Sequence, residues 1–271
     1  MMLIRQFIGV VTFLLLGVLF VFGEITMWVI VAPASALVPA KREQFLRFWI
    51  QTYRDAIFLL LRLAGARFSI PLRVPCEGGI LLVVNHQSVV DIPVSFKIVE
   101  GGYPQMVAHH RYWKGIPLVS HMMRVSRHIP VYPGRTGRAE LDRLAGLARD
   151  ADHPIVIFPE GHRTRDGEIR PWKRAGLQAF LSARPWTVHV VVIDGLWNSA
   201  RIPDFIRTIA GVKCRAESVG PFTYDGRGSE NHDEFIDRLE KAMCDKLAEM
   251  RRRTPGEQQR GNESMGSAVS S

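Results

Sequence analysis

The chain has 271 residues, 47 % of them apolar, with a net charge of +9 at neutral pH and a sequence pI near 9.9. That length and apolar share fit one domain with additions at its ends, and exclude both a disordered chain and one built wholly of membrane spans. The basic balance suits an anionic membrane surface or an anionic substrate, and the absence of zinc-finger spacing, an RNA-binding signature or a basic helix with heptads argues against nucleic acid.

The N-terminus is the most apolar stretch. Residues 7–39 carry one charge, Glu24. That is long for one membrane span and short for two. Gly23 and Glu24 offer a break, which predicts a helical hairpin made of residues 7–22 and 25–37. Arg5 precedes the run, and Lys41, Arg42 and Arg47 follow it. Positive charge on both flanks prefers both in the cytoplasm, which a hairpin dipping into one leaflet satisfies. One tilted span is the alternative. A cleaved signal peptide would use Ala34-Ser35-Ala36. Only three cysteines occur, Cys76, Cys214 and Cys244. They form no disulfide framework and no zinc pattern, which argues against export and places the chemistry on the cytoplasmic face, that of the inner membrane in a bacterium. Residues 41–75 hold seven Lys/Arg against two acids. Beside a membrane segment such charge attracts anionic headgroups. A solvated helix face is the plainer reading.

Residues 44–67 read as an amphipathic helix, with Phe45, Phe48, Trp49, Tyr53, Ile57 and Leu60 at helical spacing. Short apolar runs follow at 79–85, 105–108, 128–131, 154–159 and 188–193, with a later strand at 212–219. Helical patterns lie at 139–149, 172–183 and 233–252. This alternation predicts an α/β domain with a mixed, largely parallel sheet flanked by helices. The expected organisation is membrane-anchoring helices at 1–40, the amphipathic helix at 41–70, a catalytic domain at 71–250 and a disordered polar tail at 251–271.

Two motifs follow apolar strands, where a parallel sheet places its ligands. The first is Asn85-His86-Gln87-Ser88-Val89-Val90-Asp91. Five residues apart in a regular helix, His86 and Asp91 would stand about 140° apart. They meet only if His86 lies in the strand-to-helix turn and Asp91 reaches back from the first helical turn. Such a pair is a general base with its tautomer held by a carboxylate. The second motif is Phe158-Pro159-Glu160-Gly161-His162-Arg163. Gly161 allows close backbone approach, Arg163 offers a fork suited to phosphate, and Glu160 would hold a hydroxyl or organise the arginine. A turn with a surface ion pair is the competing reading. Basic residues also cluster at 170–176 and at 107–135, the latter with five Lys/Arg and no acid. Most suit a solvated surface; one or two would serve a phosphate pocket.

His86-Gln87-Ser88-Val89-Val90-Asp91 resembles the HxxxxD motif of the glycerolipid acyltransferases, the lysophosphatidic acid acyltransferase group. Phe158 to Arg163 is similar to that family's FPEGTR motif, and Ile129 to Arg135 looks like its middle block. The likeness covers roughly residues 70–225. It implies that His86 takes the proton of an acceptor hydroxyl while Asp91 orients it. The hydroxyl oxygen then attacks the thioester of acyl-CoA or acyl carrier protein, a co-substrate; no other cofactor is implied. It further implies that Glu160, Gly161 and Arg163, with Arg135 or Arg127, bind the glycerol phosphate of a lysophospholipid, foremost 1-acyl-glycerol-3-phosphate, in phospholipid synthesis at a membrane. Three departures fall around the acceptor site. His162 stands where Thr is usual, His110-Arg111 where Lys is common, and Val188-His189-Val190-Val191 lacks the usual Pro.

Other classes fit less well. A lipid hydrolase wants a GxSxG elbow, which is absent. A metal enzyme wants a ligand pattern such as HExxH; the histidines are scattered, so no metal site is expected. A non-catalytic membrane protein that binds anionic lipid would use the same basic and apolar features. The His86–Asp91 pairing speaks for the enzyme.

Overall fold

The structure, a computed structural model, describes residues 2–132, 134–135, 137–226 and 230–253. It opens on one long apolar helix. Helix α1 (Met2–Thr26) continues through a π-helical turn (Met27–Val31) into α2 (Ala32–Leu37). The chain reverses at a 3-10 turn (Pro39–Lys41) and returns as α3 (Arg42–Leu63). The break expected at Gly23 and Glu24 is therefore absent, and the reversal comes some fifteen residues later. The reason is tertiary. A Cβ on Gly23 would lie 2.7 Å from Leu118 and 2.9 Å from Tyr53, so the glycine is a packing contact. The Glu24 carboxylate turns toward α5 and the residue before it. It accepts the Leu118 N–H at 3.0 Å and the Trp28 indole N–H at 2.8 Å, and lies 3.2 Å from His121 Nδ1. Thr26 Oγ1 joins Tyr53 OH at 2.7 Å and accepts from Trp49 Nε1 at 3.0 Å, which fixes the long helix to α3.

After α3 come the strands β1 (Arg67–Ser69), β2 (Val74–Pro75) and β3 (Ile80–Val84). Next are α4 (Asp91–Ile98), β4 (Val99–Glu100), β5 (Gln105–His109), α5 (Val119–Val125), β6 (Ile129–Val131), α6 (Arg138–Arg149) and β7 (Ile155–Ile157). The chain ends with α7 (Arg174–Leu181), β8 (Trp186–Asp194), α8 (Ile202–Thr208), β9 (Lys213–Tyr224) and α9 (His232–Arg252). Seven strands form one sheet in the order β1-β9-β8-β3-β7-β5-β6. All neighbours are parallel except β8 and β9. Strands β2 and β4 form a separate parallel pair.

Strand β3 occupies the middle and is buried at all five positions. A strand covered on both faces must be apolar throughout, which is why Ile80 to Val84 does not alternate. Ile80, Leu82 and Val84 face a core built with α1, α3, α4 and α8. Leu81 and Val83 face a second core built with α6, α7 and α9. The expected largely parallel α/β fold is the one observed. In α9, Ile236, Leu239, Met243 and Leu247 form the buried stripe. Its start is a capping box, in which Asn231 accepts from Glu234 N and Glu234 accepts from Asn231 N. Arg251 and Arg252, assigned to the tail by sequence, complete this helix; the rest of the expected tail, 254–271, lies outside the described residues.

Candidate active site

The parallel strands carry their C-terminal ends to one edge, and both motifs stand there. Where β3 ends, Asn85 carries the ladder one step further by side chain. Its Nδ2 donates to Ile193 O at 2.8 Å and its Oδ1 accepts from Ile193 N at 2.7 Å. The turn after it is tied to the loop beyond β8. Gln87 Oε1 accepts from Leu196 N at 2.9 Å, and Ser88 Oγ donates to Ser199 O at 2.8 Å. His86 is thereby held between two fixed neighbours.

Asp91 reaches back from the first turn of α4, as its spacing required. It is fully buried. Its Oδ2 lies 2.8 Å from His86 Nδ1 and accepts from Gln87 N at 2.6 Å and Ser88 N at 2.7 Å. A carboxylate only accepts, so Nδ1 carries the ring proton and Nε2 keeps its lone pair. Among the described residues Nε2 has no hydrogen bond, and the side chain is 17 % exposed. The ring stacks on Phe158, with centroids 4.2 Å apart and planes 20° apart. The imidazole is held on one side by a carboxylate and on its face by a phenyl ring. Its basic nitrogen remains open.

Glu160 stands behind His86. It is 1 % exposed. Its Oε1 accepts from His86 N at 2.7 Å and its Oε2 from Arg170 N at 2.9 Å. Each oxygen accepts from one backbone amide, so the carboxylate organises the main chain of His86 and Arg170; a contact with an acceptor, expected from sequence, is not among these bonds. Burial raises its pKa, against the two amide bonds, which lower it. Thr164 N donates to His86 O at 2.8 Å, so the second motif grips both main-chain polar groups of the histidine. We predict that Glu160→Gln turns an amide donor toward one of two N–H donors. The expected outcome is a fall in kcat with little change in KM for the acceptor, measured by steady-state acyl transfer; a rise in KM alone would mean that Glu160 touches the acceptor.

The other expected residues divide. Gly161 is exposed with φ near +70°, and Lys173 lies across it, within 3.0 Å of where a Cβ would stand. Arg163 is half-buried, and its Nη1 donates to Ala200 O at 2.6 Å. Both are at the His86 edge. Arg135 follows β6 on that same edge, with its guanidinium 4.5 Å from the Tyr132 ring centre. However, β6 is three strands from β3, or about 14 Å along the sheet. Arg127 is not at the site. It precedes the three-residue β6, so the parallel sheet puts it at the opposite end, where it is 74 % exposed and 4.0 Å from Asp152. Sequence reasoning missed Lys173, read as surface charge, and the positioning residues Asn85 and Phe158. The only signal for these was their place inside or beside the motifs. Among the described residues no three His, Cys, Asp or Glu side chains converge as a metal site.

Comparison with known proteins agrees with this arrangement. The family model described as Acyltransferase matches residues 66–194. The fold is similar to the crystal structure of the 1-acyl-sn-glycerophosphate (LPA) acyltransferase PlsC from Thermotoga maritima, at 22 % identity and a TM-score of 0.68. The alignment covers 94 % of this chain and 99 % of that one. No curated protein matches at a significant level. Residues 66–194, from β1 to the end of β8, thus match the Acyltransferase family model, on a fold shared with that structure.

Proposed function

We propose that this acyltransferase moves a fatty acyl group from the thioester of CoA or acyl carrier protein to the free hydroxyl of a lysophospholipid, foremost 1-acyl-glycerol-3-phosphate. The observation that carries the reading is the 2.8 Å pair of His86 Nδ1 and Asp91 Oδ2, which leaves Nε2 open at the edge where Arg163 also lies. Nε2 takes the proton of the acceptor hydroxyl as its oxygen forms a bond to the thioester carbonyl carbon. Asp91 stabilises the imidazolium that results. The tetrahedral intermediate collapses with loss of the thiolate, and the imidazolium returns its proton to that sulfur. No acyl-enzyme forms. Arg163 spends one N–H on Ala200 and keeps others for a phosphate oxygen. Lys173, lying over Gly161, supplies a second positive charge. His162, exposed beside Gly161, is placed to influence the choice of acceptor.

The long helix supports a membrane seat. Met2–Leu37 is apolar enough to cross a bilayer. At about 1.5 Å per residue it is about 54 Å long, against a hydrocarbon core of about 30 Å. Its buried side follows the domain from Gly9 to Val31, while Phe7, Leu14, Val18, Phe22, Val29 and Ile30 are exposed. A helix so flanked by a folded domain lies in the plane of one leaflet with its outer face in lipid. The free cysteines and the basic flanks favour a domain on the cytoplasmic side.

The test is transfer of label from palmitoyl-CoA into diacyl lipid by membranes containing the protein, across a panel of lysolipids, repeated with palmitoyl-acyl carrier protein. Transfer to one acceptor would name it. Failure with both donors on every acceptor would refute the reading.

A further inference from the structure

We propose that the hollow where α1 meets α8 binds the phosphate headgroup of an anionic bilayer phospholipid, held as a ligand and not turned over. The hollow measures about 290 Å³, and its charged lining is Arg5 from α1, Arg207 from α8 and Lys213 from the start of β9, with Asn198 and Thr208 beside them. No carboxylate lines it. Asp204, outside the lining, is 3.7 Å from Arg207 Nη1. Among the described residues Arg5 and Lys213 have no ion-pair partner. Three like charges facing one hollow repel one another, and an anion placed among them relieves that repulsion.

The two helices make this hollow because their backbones touch. A Cβ on Gly9 would fall 1.7 Å from Ile206 O, so only glycine permits the contact. Arg5 lies one turn before Gly9 and Arg207 directly follows Ile206, so the crossing brings both cations to one place. The surroundings are those of a lipid. Leu3, Ile4 and Phe7, within two residues of Arg5 on α1, and Ile202 on α8 are 76, 64, 70 and 52 % exposed. A cationic hollow beside exposed apolar side chains matches a charged headgroup above acyl chains.

A second basic hollow supplies the contrast. It is lined by Arg54, Arg73 and Lys97 beside α3 and α4. Asp55 pairs with both Arg54 and Lys97, and Glu100 lies 3.8 Å from Arg73. Each of its three cations thus has a carboxylate partner, whereas of the three at α1 and α8 only Arg207 has one. The hollow at α1 and α8 is also distinct from His86, though they share the loop 195–201. Leu196 N–H and the Ser199 and Ala200 carbonyls hold Gln87, Ser88 and Arg163, whereas Asn198 lines the hollow.

The proposal rests on α1 being seated in lipid, and that is measured separately, by partition of the full chain into phosphatidylcholine vesicles. The binding test titrates the detergent-purified, delipidated full chain with phosphatidylglycerol or phosphatidylcholine and counts bound lipid by native mass spectrometry. One phosphatidylglycerol per chain should bind in preference to phosphatidylcholine. The triple variant R5Q/R207Q/K213Q should weaken it about a hundredfold, at about fivefold per cation, and R54Q/K97Q should not. Arg207→Gln alone, weakening it about fivefold, gives the same answer if the triple variant fails to fold. Equal binding of the two lipids, or undiminished phosphatidylglycerol binding by the variants, overturns the proposal. So does displacement of the lipid by equimolar inorganic phosphate, which would make the ligand a soluble anion. Partition into phosphatidylcholine without headgroup preference would leave the membrane seat standing and refute only this site.

Discussion

His86→Ala should lower the rate of acyl transfer by about 10³-fold or more, with the protein still folded. General-base catalysis by a positioned imidazole contributes about 10² to 10⁴, and no other described base stands ready to replace Nε2. The substitution costs little structure, because the contacts that hold this turn are made by the main chain of His86 and by Asn85, Gln87, Ser88 and Asp91. Asp91→Asn should approach the same loss by another route. Its carboxylate oxygen now takes three hydrogen bonds, from His86 Nδ1, Gln87 N and Ser88 N. An amide oxygen turned toward them still accepts, but brings no charge to stabilise an imidazolium. An amide NH₂ turned toward them meets two N–H donors and forces the ring into its other tautomer, with the proton on Nε2. Asp91→Asn should therefore lower kcat, with the fold retained. Single-turnover transfer, with melting temperature as the fold control, decides. A His86→Ala rate within tenfold of wild type would remove His86 as the base.

The largest expected effect on stability falls on Asn85→Ala. Asn85 is 1 % exposed and satisfies both polar groups of Ile193 in the buried middle of the sheet. Alanine leaves one N–H and one C=O without partners, where no strand residue can reach them. At about 1–3 kcal/mol for each buried group left unsatisfied, the loss is about 2–6 kcal/mol, a large part of the stability of an ordinary domain. Denaturant unfolding in detergent measures it. Asn85→Asp discriminates further. It can still accept from Ile193 N but cannot donate to Ile193 O, and it buries a charge, so it should be no better than alanine. A loss under about 0.5 kcal/mol for Asn85→Ala would mean that water or relaxation replaces the side chain. Because Asn85 precedes His86, activity should fall with stability in both variants.

Elements that form apolar runs were legible in the sequence, and short ones without such a run were not. Strands β3, β5, β7 and β8 announce themselves as apolar runs because both sides of the sheet are covered. Arg67–Ser69 and Val74–Pro75 are too short to show a period, and α4, α5 and α8 have only seven or eight residues. The His86–Asp91 geometry could be read from spacing, since only a turn could bring the two together. Glu160 could not, because its partners are backbone amides 74 and 10 residues away. Arg127 and Arg135 flank one short strand, and the chemistry of an arginine does not tell which end of a parallel sheet it occupies. Gly23 and Glu24 looked like a helix break because a charge in an apolar run is costly in lipid. The answer lay in Leu118 and His121, nearly a hundred residues on.

The way the long helix is seated bears on how a water-soluble form of the enzyme should be made. Removing the apolar N-terminus is the usual first attempt with an anchored enzyme. Here Met27 and Val31 share one core with Trp49, Ile50, Tyr53 and Leu118, and Leu118 N–H has its partner in Glu24. Deletion before α3 would strip the exposed apolar surface of the helix and lay open a second apolar surface beneath it, together with a stranded amide. The truncated chain would exchange one source of aggregation for another. Redesign of the outward side chains alone, with polar residues at positions such as Phe7, Leu14, Val18, Phe22 and Val29, keeps the inner seam intact and is the sounder route to a soluble enzyme.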